Sequence, residues 1–531
     1  MKLNKLFDNY FNDYLKYNPL EATFYGIHTY DNQLPDIYSE EYKNNLIMLL
    51  KNYLIKSDNI QVYSHIDYIN LKSFKYIISL QLEEVYLPFN ELPINQMNNI
   101  FLKIMSLILE SDIQPIKTIE DINKFEKRMS YFPQLIKSMI KLMKKGIVTG
   151  RVLPIVITKQ VIKQIEDLLN NKQYKSLKTK LKKNYKRLVN IIKIYFIPIA
   201  ENTIKFLIND YLPNSRTSIG YCHIPLGDKM YEYLVKSNIN FNNLSIKKIF
   251  NIGLNETNRI LKEMNKLSKK LEIKNYRTDP QFYKKNNKEV LDSYKKMKQY
   301  INTNILPKYF GDLRPKFEYK IEAVPKFNEE FTATAYYIDE SIDNKRPGIF
   351  YINLRNLDEH PVYCMEALTL HEGNPGHHYQ ISLSQNNPEI PKFRSFNYNL
   401  LNSFIEGWGL YCESLGDYND DYSRMGKYNY EIMRASRLVI DTGIHYYGWD
   451  FNKSKSFLTD LIKISDSEAD SEIYRYISIP GQALSYKIGE LSILTCRDKF
   501  LKKNNNIIDF HKKIMGLGPV PLCLLNEAML N

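Results

Sequence analysis

The stretch His371-Glu372-Gly-Asn-Pro375-Gly376-His377-His378 restricts what this chain can fold into more than any other part of it. His-Glu followed by another His is the arrangement by which a helix offers two imidazoles to zinc and a carboxylate to the attacking water. The usual spacing puts the second imidazole at i+4, but here that position is Pro375, which cannot ligate. His377 stands at i+6, which in an unbroken helix lies about 120° around and about 9 Å along the axis. Two ligands each about 2.1 Å from one ion cannot be that far apart. A helix carrying both must therefore break between them. Pro375-Gly376 is the pair to break it, because proline removes a hydrogen bond and glycine relaxes the backbone limits. His378, at i+7, returns to the face of His371 but about 10.5 Å along. It is the rival second ligand, with His377 preferred. Three of the nine histidines fall in this window, which argues against simple capping of a helix end.

A zinc site of this kind needs a third protein ligand. Phe404-Ile405-Glu406-Gly407-Trp408-Gly409-Leu410-Tyr411-Cys412-Glu413 sets two acids in an apolar helical pattern. Glu406 lies 29 residues after His377, which leaves room for a loop and an antiparallel second helix. Its apolar neighbours predict burial, and a buried carboxylate needs a partner such as a cation. Glu413, two turns on, is the runner-up. The expected cofactor is one zinc ion per chain, held by His371, His377 and Glu406, although this ligand set also suits other divalent ions.

Around this motif the chain reads as mostly α, a large helical metallopeptidase-like fold with a deep cleft and one small sheet just before the metal-binding helix. Residues 1–310 form an N-terminal helical half. Residues 311–531 form the catalytic half, with the sheet (315–355) and the metal site in one integrated unit. Leu177, Leu181, Leu188, Ile191 and Ile192 recur at helical spacing on a Lys-rich background. Breaks are expected at Pro115, Pro133, Pro154, Pro198, Pro213, Pro225 and Pro280. Phe317–Val324, Phe331–Ile338 and Gly348–Leu354 read as strands, the last two as a hairpin with a long loop.

The formal charge of +14 comes mostly from lysine in a chain also rich in Asn, Ile and Tyr. Because the excess is spread along the sequence, AT-rich codon usage explains it better than a nucleic-acid surface, and no specific nucleic-acid partner is expected. The cysteines are five, Cys222, Cys364, Cys412, Cys496 and Cys523, with no C-x-x-C among them. An odd count at long spacings fits a reducing compartment. Residues 1–15 show no signal-peptide pattern, and no window approaches the ~18 apolar residues that cross a bilayer. The expectation is a cytoplasmic protein without a membrane partner. The oligomeric state is left open.

On these residues the sequence resembles the bacterial family known as domain of unknown function 885, whose members carry H-E-x-x-P-G-H-H-x-Q and a later E-G-W. The likeness also takes in Asn18-Pro-Leu-Glu-Ala-Thr-Phe-Tyr-Gly26-Ile-His28-Thr-Tyr-Asp31, Ala335-Tyr-Tyr337, Arg346-Pro-Gly348-Ile-Phe-Tyr-Ile-Asn353, Asp441-Thr-Gly-Ile-His445 and the run from Arg475 to Tyr486. The resemblance implies a zinc peptidase with a site like that of helical, gluzincin-type metallocarboxypeptidases and oligopeptidases bearing H-E-x-G-H. Placing Gly376-His377 on that G-H implies a two-residue insertion and favours His377. Some relatives look like exported lipoproteins, a signal this chain lacks.

In the expected reaction Glu372 is the general base. Oxyanion donors are sought among His445, Tyr476 and Tyr486, with Asp441 at i−4 placed to orient His445. Arg475 or Lys487 can pair with a substrate C-terminal carboxylate, and the strand at Thr334–Tyr337, with Tyr336 and Tyr337, can take an extended peptide by strand addition. The expected substrate is a short or unfolded peptide. The alternatives are hydrolysis of a small non-peptide amide, which would use the same residues, and a non-catalytic helical binding protein.

Overall fold

The computed structural model describes residues 2–530 except 110–112, 172, 182–183, 242, 327–328, 330–332, 344–345 and 397–399. The described chain is mostly α-helical with one three-stranded sheet. The strands are β1 (Lys320–Ala323), β2 (Ala335–Ile338) and β3 (Ile349–Ile352). β3 lies in the middle, parallel to β1 and antiparallel to β2. All four residues of β3 are buried, whereas β1 alternates toward exposure, as a central and an edge strand should. Each strand is shorter than its apolar run in the sequence, and the expected residues Phe331 and Thr332 lie outside the described residues.

The helices that build the site are α1 (Ile246–Ser268), α2 (Met365–Glu372), α3 (His377–Asn386), α4 (Asn402–Glu413), α5 (Asp421–His445), α6 (Asp466–Ser478) and α7 (Ser485–Lys503). α1 starts where Ser245 accepts the Lys248 N–H, and α5 where Asp420 and Ser423 form a capping box. α1 buries Ile249, Ile260, Met264 and Leu267 along one stripe, worth roughly 1.5–3 kcal/mol for each large side chain. It runs closely along α5 because Gly253 leaves room for Leu438 and Val439; a Cβ there would stand 2.7–2.8 Å from their side chains.

Pro198 does not break the chain as expected, whereas Pro213 does: the helix before it ends in the short turn Leu212–Asn214 and the chain is extended from Ser215. Each proline follows a short π-helical segment, Ile192–Phe196 and Leu207–Tyr211, and Pro307 follows a third, Ile301–Ile305. The missing proline N–H removes one i→i−4 bond, and a wider turn absorbs the loss while the helix runs on past Pro198 and Pro307. The core also continues across residue 310. One apolar cluster joins Phe101 and Phe196 to Ile440 and Tyr476, and a second joins Tyr231 and Ile305 to Trp408 and Leu525. Among the described residues no helix is long and apolar enough to cross a membrane.

Candidate metal centre

α2 is buried along its whole length and ends at Glu372, so His371 and Glu372 sit in its last turn. Gly373 leaves the helical conformation, the Asn374–Pro375 peptide is cis, and α3 begins at His377. The expected break is therefore present. Gly376 packs directly on the end of α2, where a Cβ would lie 1.9 Å from the His371 carbonyl oxygen and 2.3 Å from that of Leu370. The indole N–H of the fully buried Trp408 donates to the Pro375 carbonyl at 2.8 Å. The Glu-Gly-Trp run on α4 thus supplies both a candidate ligand and a clasp for the break that brings the other ligands together.

His371 lies across α4 between two glutamates seven residues apart. Its Nδ1 is 2.8 Å from Glu413 Oε1 and its Nε2 is 3.7 Å from Glu406 Oε2. Gly409 lies between those acids in sequence, and a Cβ there would come within 2.8–3.1 Å of the imidazole, so its absence is what lets the ring rest on the helix. His377 Nε2 is 3.4 Å from the same Glu406 oxygen, and the two imidazoles are nearly perpendicular, with centres 4.7 Å apart. The donor atoms of His371, His377 and Glu406 all lie within 4.8 Å of one another. Zinc with ligand bonds near 2.1 Å keeps its donors about 3.4 Å apart, so small side-chain movements would close this set on an ion.

The electrostatics fit a cation. Burial pushes the Glu406 carboxyl upward, but both imidazoles outweigh it and hold the group well below the usual carboxylate range. Burial pulls His371 down, but Glu406 and Glu413 outweigh it and hold the ring at about 9. Glu413, the runner-up ligand, instead takes the outer nitrogen of His371, the orienting contact that metal-bound histidines commonly have. His377 Nδ1 is buried without a hydrogen-bond partner among the described residues. Glu372 is 8 % exposed, and its carboxylate hydrogen-bonds to none of the described residues.

His378 is engaged elsewhere. Its Nδ1 meets the Tyr337 hydroxyl at 3.0 Å and its Nε2 the Phe317 carbonyl at 3.1 Å. Burial pulls its pKa to about 3. Tyr337, sought as a substrate contact, therefore turns its hydroxyl to His378, and Tyr336 stacks on Tyr351 with centres 5.2 Å apart.

Tyr486 is brought to the centre. Its ring stacks near His371, centres 6.2 Å apart, and its hydroxyl accepts from Arg475 Nη2 at 2.9 Å. α7 comes this close because it crosses α4 glycine on glycine: a Cβ on Gly407 would lie 2.4 Å from the Gly489 backbone. Lys487 is spent in a buried ion cluster with Glu256, Glu431 and Glu490.

His445 and Tyr476 have other work than oxyanion binding. His445 Nε2 donates to the Tyr476 carbonyl at 2.9 Å, and its Nδ1 accepts the Tyr221 N–H at 3.3 Å, so both ring nitrogens are used. The Tyr476 side chain is fully buried, with its hydroxyl on Glu472. The expected Asp441–His445 pair does not form. Asp441 accepts from the Tyr231 hydroxyl at 2.6 Å and from the Gly481 N–H at 3.0 Å. Asp441 and His445 thus tie α5 to the turn between α6 and α7, and that turn sets the placement of Arg475 and Tyr486.

Burial pushes the Asp441 carboxyl up to about 7, against the two donors that favour its charge. The folded value lies above the ~3.9 of an unfolded chain, so this contribution to stability is full below pH ~4 and is lost as pH rises through about 7. Asp441→Asn removes the titration. Its stability relative to wild type is expected to rise by about 1 kcal/mol per pH unit between pH ~4 and ~7, then stay level. Urea midpoints for both proteins at intervals across that range check this, and a constant difference would contradict it.

Among the solved structures that the protein resembles over its whole chain are two bacterial ones. One is described as "the putative lipoprotein from Colwellia psychrerythraea" (TM-score 0.91, 23% identity, covering 99% of this chain and 98% of that one). The other is described as "a putative lipoprotein of unknown function from Shewanella oneidensis" (TM-score 0.72, 16% identity, covering all of both chains). At these identities the likeness shows a shared fold. No curated protein matches the sequence. The family described as "Bacterial protein of unknown function (DUF885)" matches residues 19–529, and the chain belongs to it.

Proposed function

We propose that the chain is a zinc-dependent peptidase of gluzincin-like design. One observation carries the reading: His371, His377 and Glu406 converge to ligating range across a break in a helix, with Glu372 next to the first imidazole. When bound, the ion supplies Lewis acidity, which acidifies a water and polarises the carbonyl under attack. Glu372 takes a proton from the attacking water and passes it to the leaving nitrogen. The C–N bond breaks, the water oxygen stays on the acyl carbon as a carboxylic acid, and the amine departs. The Tyr486 hydroxyl accepts from Arg475, which leaves its own proton free to donate to the developing oxyanion. Among the described residues β2 pairs only with β3, and it packs beside α2, so an extended peptide can add along its other edge through backbone hydrogen bonds. A small non-peptide amide would use the same groups, and a substrate panel separates the two. A scaffold role has less support, because the general base and all three ligands are retained. The five cysteines are all unpaired, which supports a reducing compartment.

Elemental mass spectrometry is expected to find about one zinc per chain, kept in His378→Gln and lost in His377→Ala. The reverse pattern would overturn the ligand set. A reconstituted wild type that takes up no divalent ion would end the peptidase reading.

A further inference from the structure

The helices around the metal centre are so thoroughly buried that the few side chains still touching solvent mark its mouth. From Met365 onward His377 is the first residue that is not buried; between Leu401 and Glu413 only Asn402 and Glu406 are not; between Pro480 and Glu490 only Gln482 is not. Arg475 joins them at the end of α6, also part-exposed.

The surroundings of Arg475 are those of a cation waiting for an anion. Its Nη2 donates to two uncharged acceptors, Tyr486 Oη at 2.9 Å and Gln482 Oε1 at 3.0 Å. Its Nε is buried without an acceptor, and among the described residues no carboxylate oxygen lies within 4.0 Å of the guanidinium. The nearby Glu472 is claimed instead by Arg437, at 3.1 Å. Arg437 also lies over the Tyr486 ring, 4.6 Å from its centre, and Arg475 is 5.8 Å from that centre. Two guanidiniums thus flank the ring that stacks on His371. A largely desolvated guanidinium is costly unless a carboxylate meets its fork of donors.

We propose that the substrate carries a free C-terminal carboxylate bound by Arg475, so that the enzyme removes residues from the C-terminal end of peptides. This rests on the peptidase reading and deepens it. A peptide advances about 3.3–3.6 Å per residue, so an anchor on this wall holds the terminus within one or two residues of the bond to be cut. Tyr486 then serves twice, orienting Arg475 and facing the reacting carbonyl.

The test reads binding in a chain that does not turn over. Zinc-loaded Glu372→Gln protein is titrated calorimetrically with an N-acylated dipeptide and with its C-terminal amide. The acid is expected to bind on the order of 30-fold more tightly than the amide. Adding Arg475→Gln should bring the acid down to the level of the amide while leaving amide affinity and zinc content unchanged. Arg475→Lys should keep part of the preference. Equal binding of acid and amide, equal loss of both in Arg475→Gln, or no binding of either probe overturns the proposal. Failure of the wild type to cleave any peptide would instead remove the peptidase reading, and the acid preference would stand or fall by itself.

Discussion

Glu372→Gln is expected to lower kcat for peptide hydrolysis by roughly 10³-fold with zinc content unchanged. Glu372 closes α2 immediately after His371, is almost entirely enclosed, and its carboxylate has no hydrogen-bond partner among the described residues. Its carboxylate is therefore committed to no structural contact and is available to a water. Glutamine keeps the size and one acceptor oxygen but cannot take up a proton. Because no described contact is lost, stability should stay within about 0.5 kcal/mol of wild type. KM should change little, since the proton moves only on the way to the transition state. Single-turnover cleavage with zinc measured on the same samples separates the outcomes. A fall in kcat of less than ~10-fold would place the base elsewhere. Loss of zinc would make Glu372 a ligand.

The parts of the site legible in the sequence are those that depend on local geometry. The spacing of His371 and His377 demanded a break, and Pro375-Gly376 supplied one. Glu406 sat in an apolar helical pattern, and its helix is buried against the one that carries His371. What the sequence hid depends on tertiary contact. Glu413 read as an alternative ligand because it shares a helix face with Glu406; only the crossing of α2 over α4 shows that it meets the far nitrogen of the same imidazole. The space that Gly407 and Gly409 leave, which admits α7 and the His371 ring, likewise shows only once the helices are packed. The i,i+4 spacing of Asp441 and His445 suggested a pair, but the backbone of the turn after α6 offered both residues partners. The opening motif carried no legible role either. Gly26, with φ +81°, packs against Ser341, and the Phe24 and Tyr25 carbonyls accept from Arg346 and Ile342, so it braces the hairpin loop from more than 300 residues away.

Gly376→Ala is expected to remove zinc and also to destabilise the zinc-free chain by roughly 2–4 kcal/mol, a pairing that His377→Ala should not show. The constraint at Gly376 that an alanine meets is space. The new methyl would meet the His371 and Leu370 carbonyl oxygens, which belong to backbone and cannot swing aside. Either the last turn of α2 moves, carrying His371 and Glu372, or the chain at 376 moves, carrying His377. Retreat of the loop is resisted because Trp408 holds the Pro375 carbonyl, and giving up a buried hydrogen bond costs about 1–3 kcal/mol. A metal site tolerates only about 0.2 Å in its bond lengths, so either movement empties it. His377→Ala deletes a ring whose Nδ1 has no partner among the described residues, and His371 Nε2 still faces the Glu406 carboxylate, so its zinc-free stability should fall by less than that of Gly376→Ala, by about 1 kcal/mol. Urea unfolding in chelator, set beside zinc content, distinguishes the two variants. If Gly376→Ala keeps zinc at wild-type affinity, the close packing of residue 376 on α2 is not what sets the ligand spacing, and the Trp408 clasp becomes the contact to remove next.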